Sequence, residues 1–269
     1  MIYICIPSYN EGTTIGVLLW RIRKVFQGYS REYEILVYDD GSTDGTRDIL
    51  APYADVAPLT VIGSETRRGY AHALDALARE ASRRTRYPRR DAMIVMQADF
   101  TDQPELLPEL IKRFEGGADI VIGERATGND PVAVRRLRKL APWAIRFSLG
   151  ANDLTDPFGS FRLFRISLIR ELTKATPDKP LAATDGWAAN LELLLATLPL
   201  ARRAERVELA SRYDLRVRES RIKPFSEAMS LYKFGRTVRG KRVTLPTQPA
   251  LAEGGSSGRN PKSRERATS

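Results

Sequence analysis

The chain has 269 residues and 42% apolar content, enough for one large α/β domain or two small ones around a sizeable core. Its single cysteine, Cys5, excludes an intramolecular disulfide and points to a reducing compartment, and its single histidine, His72, has no Cys or His neighbour to build a zinc site with. A net charge of +10 favours phosphate-rich partners, although eight basic and two acidic residues from Arg236 onward account for +6 of it.

Met1 runs straight into the strand-like Ile2–Ile6, so no signal peptide is expected. The most apolar window, Trp187 to Leu200, is interrupted by Glu192 and Pro199, which argues against a membrane-spanning helix and for a soluble or peripheral protein. Thr13 or Thr14 can cap a helix whose apolar positions Ile15, Leu18, Leu19, Ile22, Val25 and Phe26 follow helical spacing. Ile35–Tyr38 is a second strand and Leu59–Ile62 a third. Gly69 to about Ser82 is a helix with Ala73, Leu74, Leu77 and Ala78 on one face. Met93–Met96 is a fourth strand, Pro104 opens a helix through Phe114, and Asp119–Ile122 is a fifth strand. Such alternation predicts a mostly parallel sheet flanked by helices.

Beyond about residue 125 the pattern changes. A basic stretch, Arg135–Leu140, leads into Pro142 and Trp143, and an Asp-Pro-Phe-Gly-Ser-Phe-Arg segment spans 156–162. Helices are predicted near Ile166–Leu172 and through Trp187–Thr197, with late strands at Val207–Leu209 and Tyr213–Val217. Phe225–Phe234 reads as an amphipathic helix that ends a domain over 1–235. The Gly/Ser-rich, basic stretch 240–269 reads as a disordered tail.

Chemistry concentrates where the apolar runs stop. Ligands of open α/β sheets bind beyond the carboxyl ends of the strands. The second strand ends in Asp39-Asp40-Gly41-Ser42-Thr43-Asp44, whose paired acids suit a ribose, a base edge or a metal-bound diphosphate, or a solvated turn. The first ends in Pro7-Ser8-Tyr9-Asn10-Glu11-Gly12. This stretch lacks the Gly-x-Gly-x-x-Gly of a dinucleotide site and offers an aromatic for stacking and an acid for a ribose. The fourth ends in Gln97-Ala98-Asp99-Phe100-Thr101-Asp102. An acid two residues beyond another oxygen donor can hold Mg²⁺ or Mn²⁺, and Thr101 or Asp102 can equally cap a helix.

Taken together, IPSYNEG, YEILVYDDGSTDGT, RRGYAHALDALAREA, MIVMQADFTDQPELLPELI, ADIVIGER, DPFGSFRLFR and RVRESR resemble glycosyltransferase family 2, and within it the dolichol-phosphate mannosyltransferase-like, polyprenyl-phosphate group. The segments run in the family's order from residue 2 to about 235. The resemblance implies a GT-A fold and transfer of a sugar from a nucleoside diphosphate to a lipid phosphate. It implies that Pro7, Tyr9, Glu11, Tyr38 and Asp40 hold the nucleoside, and that Gln97, Ala98, Asp99 and Thr101 form the metal and diphosphate motif. It further implies that Arg125, an arginine of the 135–138 group such as Arg138, and Arg216, Arg218 and Arg221 surround the phosphates. Asp99, Arg125, Arg138 and Arg218 are thus the expected catalytic residues. Two departures matter. Gln97 stands where the family has an aspartate, so affinity for Mg²⁺ or Mn²⁺ should fall, and RVRESR lacks the usual glycine and final lysine.

Phosphate is already largely dianionic at neutral pH, with a second pKa near 6, so such an acceptor needs no strong general base. The task is to bring two anions together, and guanidinium groups suit it. Arg125, Arg135, Arg136, Arg138, Arg162, Arg165, Arg216, Arg218 and Arg221 are the candidates. Asp185 and Glu192 stand as bases if a hydroxyl accepts, or as helix caps and buttresses. Phe225, Met229 and Tyr232, with Lys233, Arg236 and Arg239 nearby, fit an interfacial helix. The expected location is therefore cytoplasmic, peripheral on the membrane's cytoplasmic face. No nucleic-acid partner is expected, because no helix-turn-helix, zinc-finger or RNA-binding signature is present.

Overall fold

The computed structural model describes residues 1–125, 159–186 and 188–209. The basic helical stretch, Arg138, Arg216, Arg218, Arg221, the strand at Tyr213–Val217, the helix at Phe225–Phe234 and the tail lie outside these residues. Seven strands form one sheet: β1 (Ile2–Ser8), β2 (Tyr33–Asp40), β3 (Leu59–Ser64), β4 (Ala92–Val95), β5 (Ile120–Arg125), β6 (Arg162–Arg165) and β7 (Ala204–Leu209). Their spatial order is β3-β2-β1-β4-β6-β5-β7. The parallel sheet expected from the alternation is there, with one interruption. β6 pairs antiparallel with both β4 and β5, the only such strand among the described residues.

Buried sheets covered on both faces read as unbroken apolar runs, and β1 is buried along its whole length. Ile2, Ile4 and Ile6 point to one face, under α1 (Ile15–Gln27) and α4 (Leu107–Glu115). Tyr3 and Cys5 point to the other, under α3 (Tyr70–Arg84), α5 (Ile166–Ala175) and α6 (Ala188–Thr197). Cys5 is a core residue, and burial pushes its thiol pKa up. The helical spacing read for α1 is the buried stripe Ile15, Leu18, Leu19, Ile22 and Phe26. Thr14 occupies its N-cap, but its hydroxyl turns back to the Glu11 backbone carbonyl and carboxylate instead of capping the helix. Pro104 opens a short 3-10 turn, Pro104–Leu106, before α4 begins. Among the described residues no helix is long and apolar enough to cross a membrane.

The sequence reading misses two elements. One is α2 (Thr46–Tyr53), which carries Pro52 and buries only Thr46 and Leu50. The other is β6, where no strand is predicted above. It also stretches too little of β2, which continues through Asp39 and Asp40 because those residues still pair with Gly63 and Ser64 of β3.

Candidate active site

The order β2-β1-β4 puts a topological switch point between β1 and β4, since the chain winds outward from β1 in both directions. The carboxyl ends of β1, β2 and β4 are therefore neighbours, and the loops carrying Tyr9, Asp40 and Asp99 share one edge of the sheet. β5 runs parallel to β4, because each is antiparallel to β6, and so Arg125 closes β5 on that same edge.

The loops are stitched together by their own polar groups. Asn10 sits at φ 54, where its backbone N–H donates to Ser42 Oγ at 2.8 Å and its Oδ1 accepts from Thr43 N–H at 2.7 Å. Glu11 N–H donates to Thr46 Oγ1 at 2.9 Å, and Gly12 N–H to Asp44 Oδ2 at 3.1 Å. Partial burial works against ionisation of Asp44, yet the donors from Thr46 and Gly12 outweigh it and hold its pKa below the usual carboxylate value. Asp44 is thus a staple between the first two loops.

The paired acids divide their work by strand alternation. Asp39 faces the α2 side, where it accepts from Arg47 Nε at 2.8 Å. Asp40 faces the α3 side, 4% exposed, and its two oxygens accept from the backbone N–H groups of Arg68 at 2.7 Å and Gly69 at 2.9 Å. Gly69 has φ 102, and a Cβ there would lie 2.9 Å from Asp185 Oδ2. Asp185 in turn accepts from Ala71 N–H at 3.0 Å, capping α3 from more than a hundred residues away. Glu192 accepts from the N–H groups of Ala183 and Thr184 at 3.0 and 2.9 Å. Both base candidates therefore hold backbone, the capping and buttressing alternative left open above.

Around this frame, the Arg67 guanidinium lies 4.3 Å from the centre of the Tyr9 ring, an arginine missed by sequence reasoning although RRGYAHALDALAREA carries it. Tyr38 is buried beneath α3 with its ring edge-to-face with His72 at 5.7 Å, and Pro7 and Ala98 are buried too. A cavity of about 340 Å³ lined by Asp39, Arg47 and Gly63 lies on the β3 side of β2, away from the switch point.

At the end of β4 the backbone makes a tight turn. Asp99 Oδ1 accepts from Thr101 N–H at 3.0 Å, and Phe100 between them takes φ 61, a left-handed conformation costly for an aromatic residue. Its ring is buried, with Arg21 at 5.3 Å from its centre. Asp102 does not cap the following helix. Buried, it accepts from Gln97 N–H at 2.8 Å and from Ser160 Oγ at 2.7 Å. Gln97 Nε2 donates to Tyr70 Oη at 3.2 Å, and Tyr70 donates onward to Asn190 Oδ1 at 2.8 Å.

Two arginines assigned above to the anion site have other partners. β6 runs away from the shared edge, so Arg162 pairs with Val95 near it while Arg165 pairs with Ala92 at the far end. There Arg165 bonds Asp119 at 2.5 Å and Ala118 O at 2.9 Å. Arg162 is buried, 1% exposed, and donates to Asn190 O at 2.6 Å beneath the site.

The donor set of the fourth-strand loop is hard oxygen: a carboxylate, an amide carbonyl and a hydroxyl. Among the described residues no three His, Cys, Asp or Glu side chains gather into a metal cage. One carboxylate plus a diphosphate and waters is nonetheless a normal setting for Mg²⁺ or Mn²⁺, so Asp99, Gln97 and Thr101 fit such an ion when substrate completes the shell.

Known proteins resemble this chain in sequence and in fold. The dolichol-phosphate mannosyltransferase of Pyrococcus furiosus is 29% identical over 227 residues, 82% of this chain and 58% of its own length. The bactoprenol glucosyl transferase of Shigella phage SfV is 30% identical over 183 residues, 67% of this chain and 56% of its own. The chain thus spans little more than half the length of these relatives. The glucosyl-3-phosphoglycerate synthase of Mycobacterium tuberculosis, solved with Mn²⁺, UDP and glucosyl-3-phosphoglycerate, matches 91% of this chain and 81% of its own. Its TM-score of 0.63 at 19% identity establishes the common GT-A fold. The sequence model of glycosyl transferase family 2 matches residues 3–173, more than half of the chain, and by that match the chain belongs to glycosyl transferase family 2.

Proposed function

We propose that the protein transfers a hexose, mannose in preference to glucose, from a nucleoside-diphosphate sugar to a polyprenyl or dolichyl phosphate, with inversion at the anomeric carbon. The observation that carries this is the gathering of the β1, β2 and β4 ends at one switch point in a chain whose relatives include a dolichol-phosphate mannosyltransferase and a bactoprenol glucosyl transferase.

In this reaction an oxygen of the acceptor phosphate attacks the anomeric carbon from the face opposite the leaving group. The carbon–oxygen bond to the β-phosphate breaks, and the nucleoside diphosphate departs with the bonding pair. No proton need be removed from a dianionic phosphate, which accords with Asp185 and Glu192 both being engaged by backbone amides. The obstacle is charge. Two unit anions ~4 Å apart repel by about 4 kcal/mol at an effective dielectric of 20. Exposed Arg67 and Arg68, on the loop that Asp40 holds, supply cations on the donor side. Arg125 ends β5 on the same edge. Tyr9 and Glu11 would receive the nucleoside, Tyr9 through one face of its ring, while Asp40, expected above to touch it, holds the Arg67–Arg68 loop in place. Asp99 with Gln97 and Thr101 would hold Mg²⁺ or Mn²⁺, which when bound neutralises the diphosphate as it leaves. The acceptor seats the protein at a membrane surface, and we assign it to the cytoplasmic face as a peripheral enzyme.

Incubation of the protein with labelled GDP-mannose or UDP-glucose and a short polyprenyl phosphate tests the reading. A lipid product labile to mild acid is expected. Transfer to a hydroxyl acceptor alongside failure with every lipid phosphate would replace it.

A further inference from the structure

A glutamine at the end of β4 poses a chemical question that an aspartate would not. A carboxylate offers only acceptors, whereas an amide has two faces. Its N–H₂ would bond a phosphate oxygen directly, and its carbonyl would need a cation between itself and the phosphate. Which face Gln97 turns to the donor decides whether donor binding is coupled to a metal ion.

The neighbours of Gln97 settle its orientation. Its backbone is fixed by the bond from its N–H to buried Asp102 Oδ2 at 2.8 Å. Tyr70, the first residue of α3, has one hydroxyl proton, and that proton goes to Asn190 Oδ1 at 2.8 Å. Asn190 is itself buried on α6, 3% exposed, and its backbone is held by buried Arg162, which donates to the main-chain carbonyl at 2.6 Å. Only lone pairs remain on Tyr70 Oη toward Gln97, so the amide must meet it with nitrogen, as the 3.2 Å contact from Nε2 has it. The start of α3 is pinned as well, by Asp185 on Ala71 N–H.

We propose that Tyr70 is a positioning residue that captures the nitrogen of the Gln97 amide and leaves its carbonyl oxygen as the group offered to the donor diphosphate. The end of β4 then presents acceptors alone, Gln97 Oε1 beside the Asp99 carboxylate. Nucleotide binding stays linked to a divalent cation although one acid is missing. This rests on the donor-site reading above.

The test is titration calorimetry of GDP and UDP binding to the full chain, with Mn²⁺ and with EDTA, the readout being the ratio of the two dissociation constants. Partners that orient a metal's ligands are typically worth 10–100-fold in metal affinity. Tyr70→Phe frees the amide to turn its nitrogen outward, so the Mn²⁺-induced gain should shrink about tenfold while binding in EDTA holds or improves. Gln97→Met should shrink the gain similarly, and Tyr70→Phe should add nothing on top of Gln97→Met. A purely structural Tyr70 would weaken both arms equally and leave the ratio unchanged, which overturns the proposal. So does an unchanged ratio in Gln97→Met, a result independent of whether Tyr70→Phe folds. A wild-type chain that binds neither nucleotide under either condition overturns the donor-site reading itself, and this proposal with it.

Discussion

Asp40→Asn separates a ligand from a clamp. The two Asp40 oxygens accept from Arg68 N–H at 2.7 Å and Gly69 N–H at 2.9 Å, in a site 4% exposed to solvent. Asparagine has the same shape but one acceptor, so an amide N–H₂ must face a backbone N–H whichever way it turns. One hydrogen bond to a charged group is lost, worth about 1.5–3 kcal/mol, and the survivor becomes a neutral one of about 1 kcal/mol. The net cost should be about 2–4 kcal/mol. At roughly 2–4 °C per kcal/mol for a domain of this size, the melting temperature should fall by about 5–15 °C. The loop released carries Arg67, which covers Tyr9, so nucleotide binding should weaken together with stability. Thermal unfolding by circular dichroism and calorimetric binding of GDP and UDP measure the two. Binding abolished at an unchanged melting temperature would refute the reasoning, because it would mean that the carboxylate serves the ligand and not the loop.

Asp99→Asn keeps the acceptor for Thr101 N–H and should leave the melting temperature within a degree or two, yet cut turnover at least about tenfold. Near wild-type rates in a steady-state assay would remove Asp99 from the site. Gly69→Ala forces a Cβ to 2.9 Å from Asp185 Oδ2 at a φ of 102. Urea unfolding should register a loss of at least about 1–3 kcal/mol. Glu80 has its pKa held at about 2 by hydrogen bonds from Arg83 and then Arg84. A depressed carboxylate stabilises the fold above its ordinary value of 4.5 and loses that contribution as the pH falls toward about 2. The melting-temperature gap between wild type and Glu80→Gln should therefore be full at pH 6 and close by pH 2.

The parts of the fold legible in the sequence were those in which burial leaves a period. β1, β2, β4 and β5 are continuous apolar runs, and α1 repeats every three to four residues, so both types and approximate limits could be read. β6 could not, because four residues containing the buried Arg162 look polar, and a buried arginine is intelligible only once Asn190 is seen beside it. The antiparallel sense of β6 is what sent Arg165 to the wrong end of the sheet. α2 was hidden by Pro52 and by having only Leu50 as a fully buried apolar anchor. Within the site, the strand-end acids were visible as types at the right places, but their roles were not. Whether Asp44, Asp102, Asp185 and Glu192 bind a ligand or a backbone amide depends on partners brought together by the chain path. The amide that Asp185 holds lies 114 positions away, and Asp102 accepts from a Ser160 hydroxyl 58 positions away.

The reversed strand locks two others together at the rim. β5 arrives at the crevice with Arg125, and β6 departs from the same rim at Arg162, with Ile122 and Arg162 directly paired. Because β6 also pairs with β4, and Arg162 donates to the Asn190 backbone carbonyl, one short strand fastens the ends of β4 and β5 to each other and to α6. A change that unseats Arg162 would therefore loosen both strand ends at once.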